Sequence, residues 1–154
     1  KMFEIDEFIH LIPRAVVWAQ QQELRILANG TLLSSLLIED AKVIPVRYPQ
    51  KVRVLCVKQI PLPDDPDLRI AAQNIPLITP ATAGLALRYG IFLRDDCRDE
   101  REIVVHELVH TSQYERLGGI QQFLTRYLME CMQFGYPDGP LEQEAIDKAE
   151  SICA

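Results

Sequence analysis

The most constraining stretch of this 154-residue chain is His106-Glu107-Leu108-Val109-His110. Residues four apart stand one turn above the other on an α-helix, so a helix here aims both imidazoles at one point. In an extended strand the same two residues would lie about 13 Å apart. Val104, Val105, Leu108 and Val109 supply an apolar face for such a helix, and Gly118-Gly119 is a natural stop. Asp99 with Glu102 three residues later suits a capping box, which predicts a helix over about 99–117. The chain holds three histidines, and two of them fall in this one pattern.

Two imidazoles at that spacing suit a tetrahedral zinc ion, with nitrogens at about 2.0–2.1 Å. Glu107 sits beside the first histidine but is displaced around the helix. Its carboxylate therefore reaches a zinc-bound water without ligating the metal, and takes a proton as general base. The remaining histidine, His10, lies in the apolar run Phe8-Ile9-His10-Leu11 and reads as a packed or surface residue.

A zinc site needs a third protein ligand. Cys97 is nine residues before His106, about 13 Å away if the helix extends back to it, which is too far to share an ion. A histidine six residues after His110, as metzincins carry, is absent because that position is Arg116. Carboxylates of Leu141–Asp147 remain. On a helical wheel Leu141, Ala145, Ile146, Ala149, Ile152 and Cys153 form one stripe, with Glu142 inside it and Glu144 at its outer side. A carboxylate on a buried face requires a partner, which makes Glu142 the candidate ligand and Glu144 the alternative. A plain helix-start carboxylate favoured by the dipole is the competing account of Glu142. Tyr114, Tyr127 and Tyr136 are candidate donors to a developing oxyanion, and Tyr136, in the turn before Glu142, is the best placed of them.

The rest of the chain predicts a single α+β domain over 1–154. Residues 4–27 read as a helix interrupted near Pro13 and stopped at Asn29-Gly30; Thr31 reads as the cap of a second helix through about Lys42. Val52–Ile60 and Leu85–Arg94 read as strands, with Gly90 a bulge or a point of close approach. A short helix follows Pro66, and helices over 120–134 and from Pro140 close the chain. A net charge of −6 without a basic patch argues against nucleic acid and anionic membranes as partners. No run approaches the roughly 18 apolar residues of a membrane span. Four scattered cysteines read as reduced thiols, which predicts a cytoplasmic protein. The opening Lys1-Met2-Phe3-Glu4 does not read as a signal peptide, and Lys1 before Met2 reads as a cloning remnant.

With these residues in place, the chain resembles the gluzincin-type zinc metallopeptidases. There the two histidines and glutamate are joined by a glutamate on a later helix, in a Glu-x-x-Ala/Ser-Asp/Asn pattern. Glu142-Gln-Glu-Ala145 matches it, so the resemblance selects the same residue as the wheel. Ile146 stands where the family's supporting Asp or Asn belongs. The C-terminal half, including Gln113–Gly119 and Tyr136–Glu142, is also similar to small bacterial zincin-like proteins. The resemblance implies a small zincin-like domain: N-terminal helices, a short sheet with an edge strand beside the active-site helix, and C-terminal helices. It implies Zn2+ as cofactor, a peptide or protein substrate, and peptide-bond hydrolysis with Glu107 as base. It also implies that strand 85–94, around Tyr89, Gly90 and Ile91, forms the substrate edge. The alternatives are a non-catalytic zincin-like domain, whose zinc is structural and whose cleft binds a protein, and a regulatory peptidase acting on a single protein partner.

Overall fold

In the computed structural model, which describes residues 4–154, six helices surround a four-stranded mixed sheet. The expectations for Lys1–Phe3 lie outside the described residues. The chain order is α1 (Ile5–Asn29), β1 (Thr31–Leu32), α2 (Ser35–Val43), β2 (Arg53–Val57), α3 (Pro66–Asn74), β3 (Gly84–Leu87), β4 (Gly90–Arg94), α4 (Arg101–Leu117), α5 (Ile120–Phe134) and α6 (Pro140–Cys153). This is the α+β architecture expected, with helices at both ends of the chain. Among the described residues no helix is long and apolar enough to cross a membrane.

Helix α1 runs unbroken through Pro13, contrary to the expected interruption. Proline removes one intrahelical bond, but Phe8, Ile12, Val16, Ala19 and Ile26 bury one continuous face, and that packing carries the helix across. The Gly30 N–H closes it on the Ile26 carbonyl at 2.7 Å. Thr31 does not cap α2: it pairs with Val54 in the short strand β1, and Ser34 takes the cap, accepting from the Leu37 N–H at 3.3 Å. Nor does a capping box open α4. Glu100 is the residue before the helix and makes no side-chain cap. Arg101, the first helical residue, instead forms two 2.8 Å bonds with the buried carboxylate of Asp40 on α2.

The sheet order is β1-β2-β4-β3, with β2 and β4 parallel and both outer pairs antiparallel. The expected single strand over 85–94 is a tight hairpin. Arg88 takes a left-handed φ of 63° and reverses the chain between β3 and β4. The buried Glu23 of α1 grips that turn, accepting two bonds from the Arg88 guanidinium at 2.9 and 2.8 Å and one from the Tyr89 N–H at 3.0 Å. Thr111 of α4 completes the clamp by donating to the Arg88 carbonyl at 2.7 Å. Gly90 is a point of close approach, as expected: a Cβ there would meet Ile26 Cβ at 3.0 Å. Helix α4 packs on β3, α5 and α6, and is buried from Leu108 through Tyr114.

Candidate metal centre

Helix α4 turns His106 and His110 to one side, as the four-residue spacing requires. Helix α6 meets them from across the packing interface. Pro140 occupies its first turn, and Glu130 of α5 caps it by accepting from the Leu141 N–H at 2.8 Å. Glu142 therefore sits two residues into a well-anchored helix, inside the buried stripe with Leu141, Ala145 and Ala149. One carboxylate oxygen lies 2.8 Å from His106 Nε2 and the other 3.0 Å from His110 Nε2. The three ligand atoms all lie within 4.8 Å of one another. Ligand atoms around a tetrahedral zinc ion are about 3.3–3.5 Å apart, so the two carboxylate–imidazole separations would widen by roughly 0.3–0.7 Å to accept one.

Glu144, the alternative ligand, points elsewhere. It accepts from Gln113 Nε2 at 2.7 Å and from Arg116 at 2.9 Å. Gln113 has a role that sequence reasoning missed. Its amide nitrogen donates to Glu144 and to the Leu141 carbonyl (2.9 Å). Both partners only accept, so its oxygen faces His110 Nδ1 at 2.8 Å and must receive the Nδ1 proton. Gln113, on the motif helix itself, thus orients the His110 ring.

This tautomer has a chemical consequence. With its Nδ1 proton given to Gln113, His110 bonds the Glu142 oxygen 3.0 Å from its Nε2 only when that nitrogen also carries a proton. Without that proton two acceptors face each other, and a cation between them removes the conflict. The donor set of two imidazole nitrogens and a carboxylate, braced by Gln113, fits zinc.

Tyr127 also holds Glu142, donating to Oε1 at 2.7 Å, and packs its ring edge-on to His110 with centroids 5.6 Å apart. Burial opposes ionisation of Glu142, but the bonds from His106 and His110 outweigh it and hold the carboxyl well below the usual range. Burial likewise disfavours the imidazolium of His106, yet Glu142 and the field of Glu107 raise its pKa to about 8.

Glu107 is buried beside the triad, and burial raises its pKa. The backbone N–H of Ala86 on β3 offsets a small part of that rise. A Cβ on Gly84 would meet Glu107 Cγ at 3.1 Å and Oε2 at 3.3 Å, so the glycine makes room for this side chain. Tyr114 is fully occupied, stacked on Phe123 at 3.8 Å with its hydroxyl donating to the Ala86 carbonyl at 3.0 Å. Tyr136 lines the same cavity as Glu107 and Glu142, and burial pushes its hydroxyl pKa up.

The assignment of the substrate edge to Tyr89, Gly90 and Ile91 is corrected by the topology. Gly90 and Ile91 belong to β4, which is paired on both sides, and Tyr89 lies in the turn. The edge beside the motif helix is β3, and the Ala86 carbonyl on that edge already accepts from Tyr114.

His10 is exposed and donates from Nδ1 to the Asp6 carbonyl at 2.7 Å. Cys97 lies in a short turn before α4, against Arg94 and Asp96, and all four cysteines are free. A cavity of about 140 Å³ opens from the triad into the molecule between α1, α3 and α5. No family model matches this chain, and neither does any curated protein or solved structure. The functional reading therefore rests on the geometry of the site.

Proposed function

We propose that this chain is a zinc-dependent hydrolase of peptide-type amide bonds, a minimal enzyme of the gluzincin kind. The observation that carries the reading is the convergence of His106 Nε2, His110 Nε2 and both Glu142 oxygens, with the His110 tautomer set by Gln113. A zinc ion there would supply Lewis-acid polarisation of a carbonyl and of water. His106, His110 and Glu142 would hold it. Glu107, one residue from a ligand but not among them, is left to accept a proton at its carboxylate, and burial makes it a stronger base than an exposed glutamate. Tyr136, on the cavity wall, is the proposed donor to the oxygen that gains charge. The four free thiols fit a reducing compartment, so the proposal places the chain in the cytoplasm.

A second reading is a non-catalytic zinc domain that binds a protein partner. The bond from Tyr114 to the Ala86 carbonyl favours it, because it occupies part of the strand edge on which an extended substrate would pair.

Metal analysis after purification without chelators, followed by cleavage of an amide and peptide library, tests the proposal. One zinc per chain is expected, with turnover lost in Glu107→Gln while zinc is retained. Cleavage by Glu107→Gln at the wild-type rate would remove the mechanism, and a zinc-free wild type would remove the whole reading.

A further inference from the structure

The cavity that ends at His106, His110 and Glu142 is apolar along the rest of its length. Phe8 and Trp18 of α1, Leu68 and Ala71 of α3 and Leu124 of α5 contribute to its wall. It runs along the seam between the main core and the separate small cluster of Leu11, Leu68 and Ala71. Protein interiors are packed nearly as densely as organic crystals, and voids larger than a water molecule are few. At about 140 Å³ this one compares with engineered apolar cavities of about 150 Å³, which stay dry and accept benzene.

How a ligand would be recognised follows from two features taken together. The Ala86 carbonyl on edge strand β3 already accepts from Tyr114, so part of that edge is taken before an extended peptide could pair with it. The apolar cavity offers a second recognition surface, with its polar groups His106, Glu107, His110 and Glu142 at one end.

We propose that the cavity is an acyl-chain pocket. An acyl group of about four to six carbons lies between α1, α3 and α5, a size set by comparison with benzene-binding cavities. Its carbonyl is then presented at His106, Glu107 and His110. This rests on the hydrolase reading and narrows its substrate class to acyl amides. In their hydrolysis the acyl C–N bond breaks, water supplies a hydroxyl to the carbonyl carbon, and a proton passes to the leaving nitrogen.

Trp18 is the one tryptophan of the chain and lines the cavity, so its fluorescence reports occupancy. Linear alkanoates from acetate to decanoate are titrated into zinc-loaded protein, and linear alcohols of the same lengths into metal-free protein. Affinity is expected to rise about fourfold per methylene up to roughly six carbons, the size of benzene, and then level off in both series. Ala71→Phe should move that limit to shorter chains and Leu68→Ala to longer ones. A flat series overturns the proposal, as does a limit that neither variant moves. Acetyl-leucinamide binding more tightly than hexanoate overturns it in favour of a peptide side chain. If zinc fails to bind while the alcohol series keeps its length limit, the pocket stands and the hydrolase reading falls.

Discussion

Gln113 receives the Nδ1 proton of His110 at 2.8 Å from three residues further along the same helix, while its own amide nitrogen is held by Leu141 and Glu144. The proposed ligand and its orienting group thus share one rigid element, and α6 locks the orienting group. Gln113→Leu should weaken zinc binding about 10- to 100-fold, the usual effect of losing a partner of a metal-bound histidine. Competition with a chromophoric chelator measures it, and an affinity within twofold of wild type would show that His110 needs no such support.

Glu142 and Glu144 are two residues apart but face different partners, so their substitutions should separate. Glu142→Ala should abolish stoichiometric zinc. Glu144→Ala should leave zinc bound with at most a roughly 10- to 100-fold loss, since it acts only through Gln113. Zinc retained in Glu142→Ala but lost in Glu144→Ala would reverse the assignment.

Gly84 offers a way to move the proposed base, Glu107, without touching the proposed ligands. Gly84→Ala places a methyl about 3.1 Å from Glu107 Cγ, and the carboxylate must shift by a few tenths of an ångström. A small misplacement of a reacting group can cost up to about 100-fold in rate. Turnover should fall about tenfold or more while zinc stoichiometry stays at one. Equal loss of zinc and turnover would count against this division of labour.

In the metal-free protein His106 has a pKa of about 8, against an ordinary 6.5. The folded state therefore holds that proton more tightly than the unfolded state. The resulting stabilisation is complete below about pH 6.5 and lost as pH rises through about 8, a loss on the order of 2 kcal/mol. Glu142 acts oppositely: its depressed carboxyl stabilises the fold above the ordinary carboxylate range and ceases to as pH falls. Urea unfolding across pH 4–9 should show the alkaline loss in wild type and not in His106→Gln. The same slope in both would assign it to another group.

Arg88 is held at φ 63°, a conformation that costs an ordinary residue roughly 1 kcal/mol and glycine almost nothing. Both Arg88→Ala and Arg88→Gly lose the bonds to Glu23, but Arg88→Gly should be the more stable of the two by about 1 kcal/mol. Thermal unfolding of the pair decides it, and the reverse order would mean that the turn relaxes once the guanidinium is gone.

The parts of this fold legible in the sequence are those set by local periodicity. Helices α4, α5 and α6 follow from apolar spacing and from glycine or proline at their ends, and Glu142 follows from being a carboxylate in an apolar stripe. What was not legible depends on contacts distant in sequence. The hairpin at Arg88 has no Asn-Gly or Asp-Gly signal; it is made by Glu23, sixty-five residues earlier, and by Thr111. The start of α4 is fixed by Asp40 rather than by its neighbours. Gln113 was hidden because a glutamine on a helix is ordinarily a surface residue, and only the approach of α6 gives it partners.

The occupied peptide of Ala86 bears on more than the site. An open strand edge is a template on which other chains can add, the usual route from a sheet to an aggregate. Here one edge, β1, is only two residues long, and the other, β3, has its Ala86 carbonyl capped by Tyr114 of α4. The contact that Tyr114 makes beside the site therefore also blunts the sheet against self-association. Substitution of Tyr114 would expose that edge, and concentration-dependent clumping is to be watched for when such variants are handled.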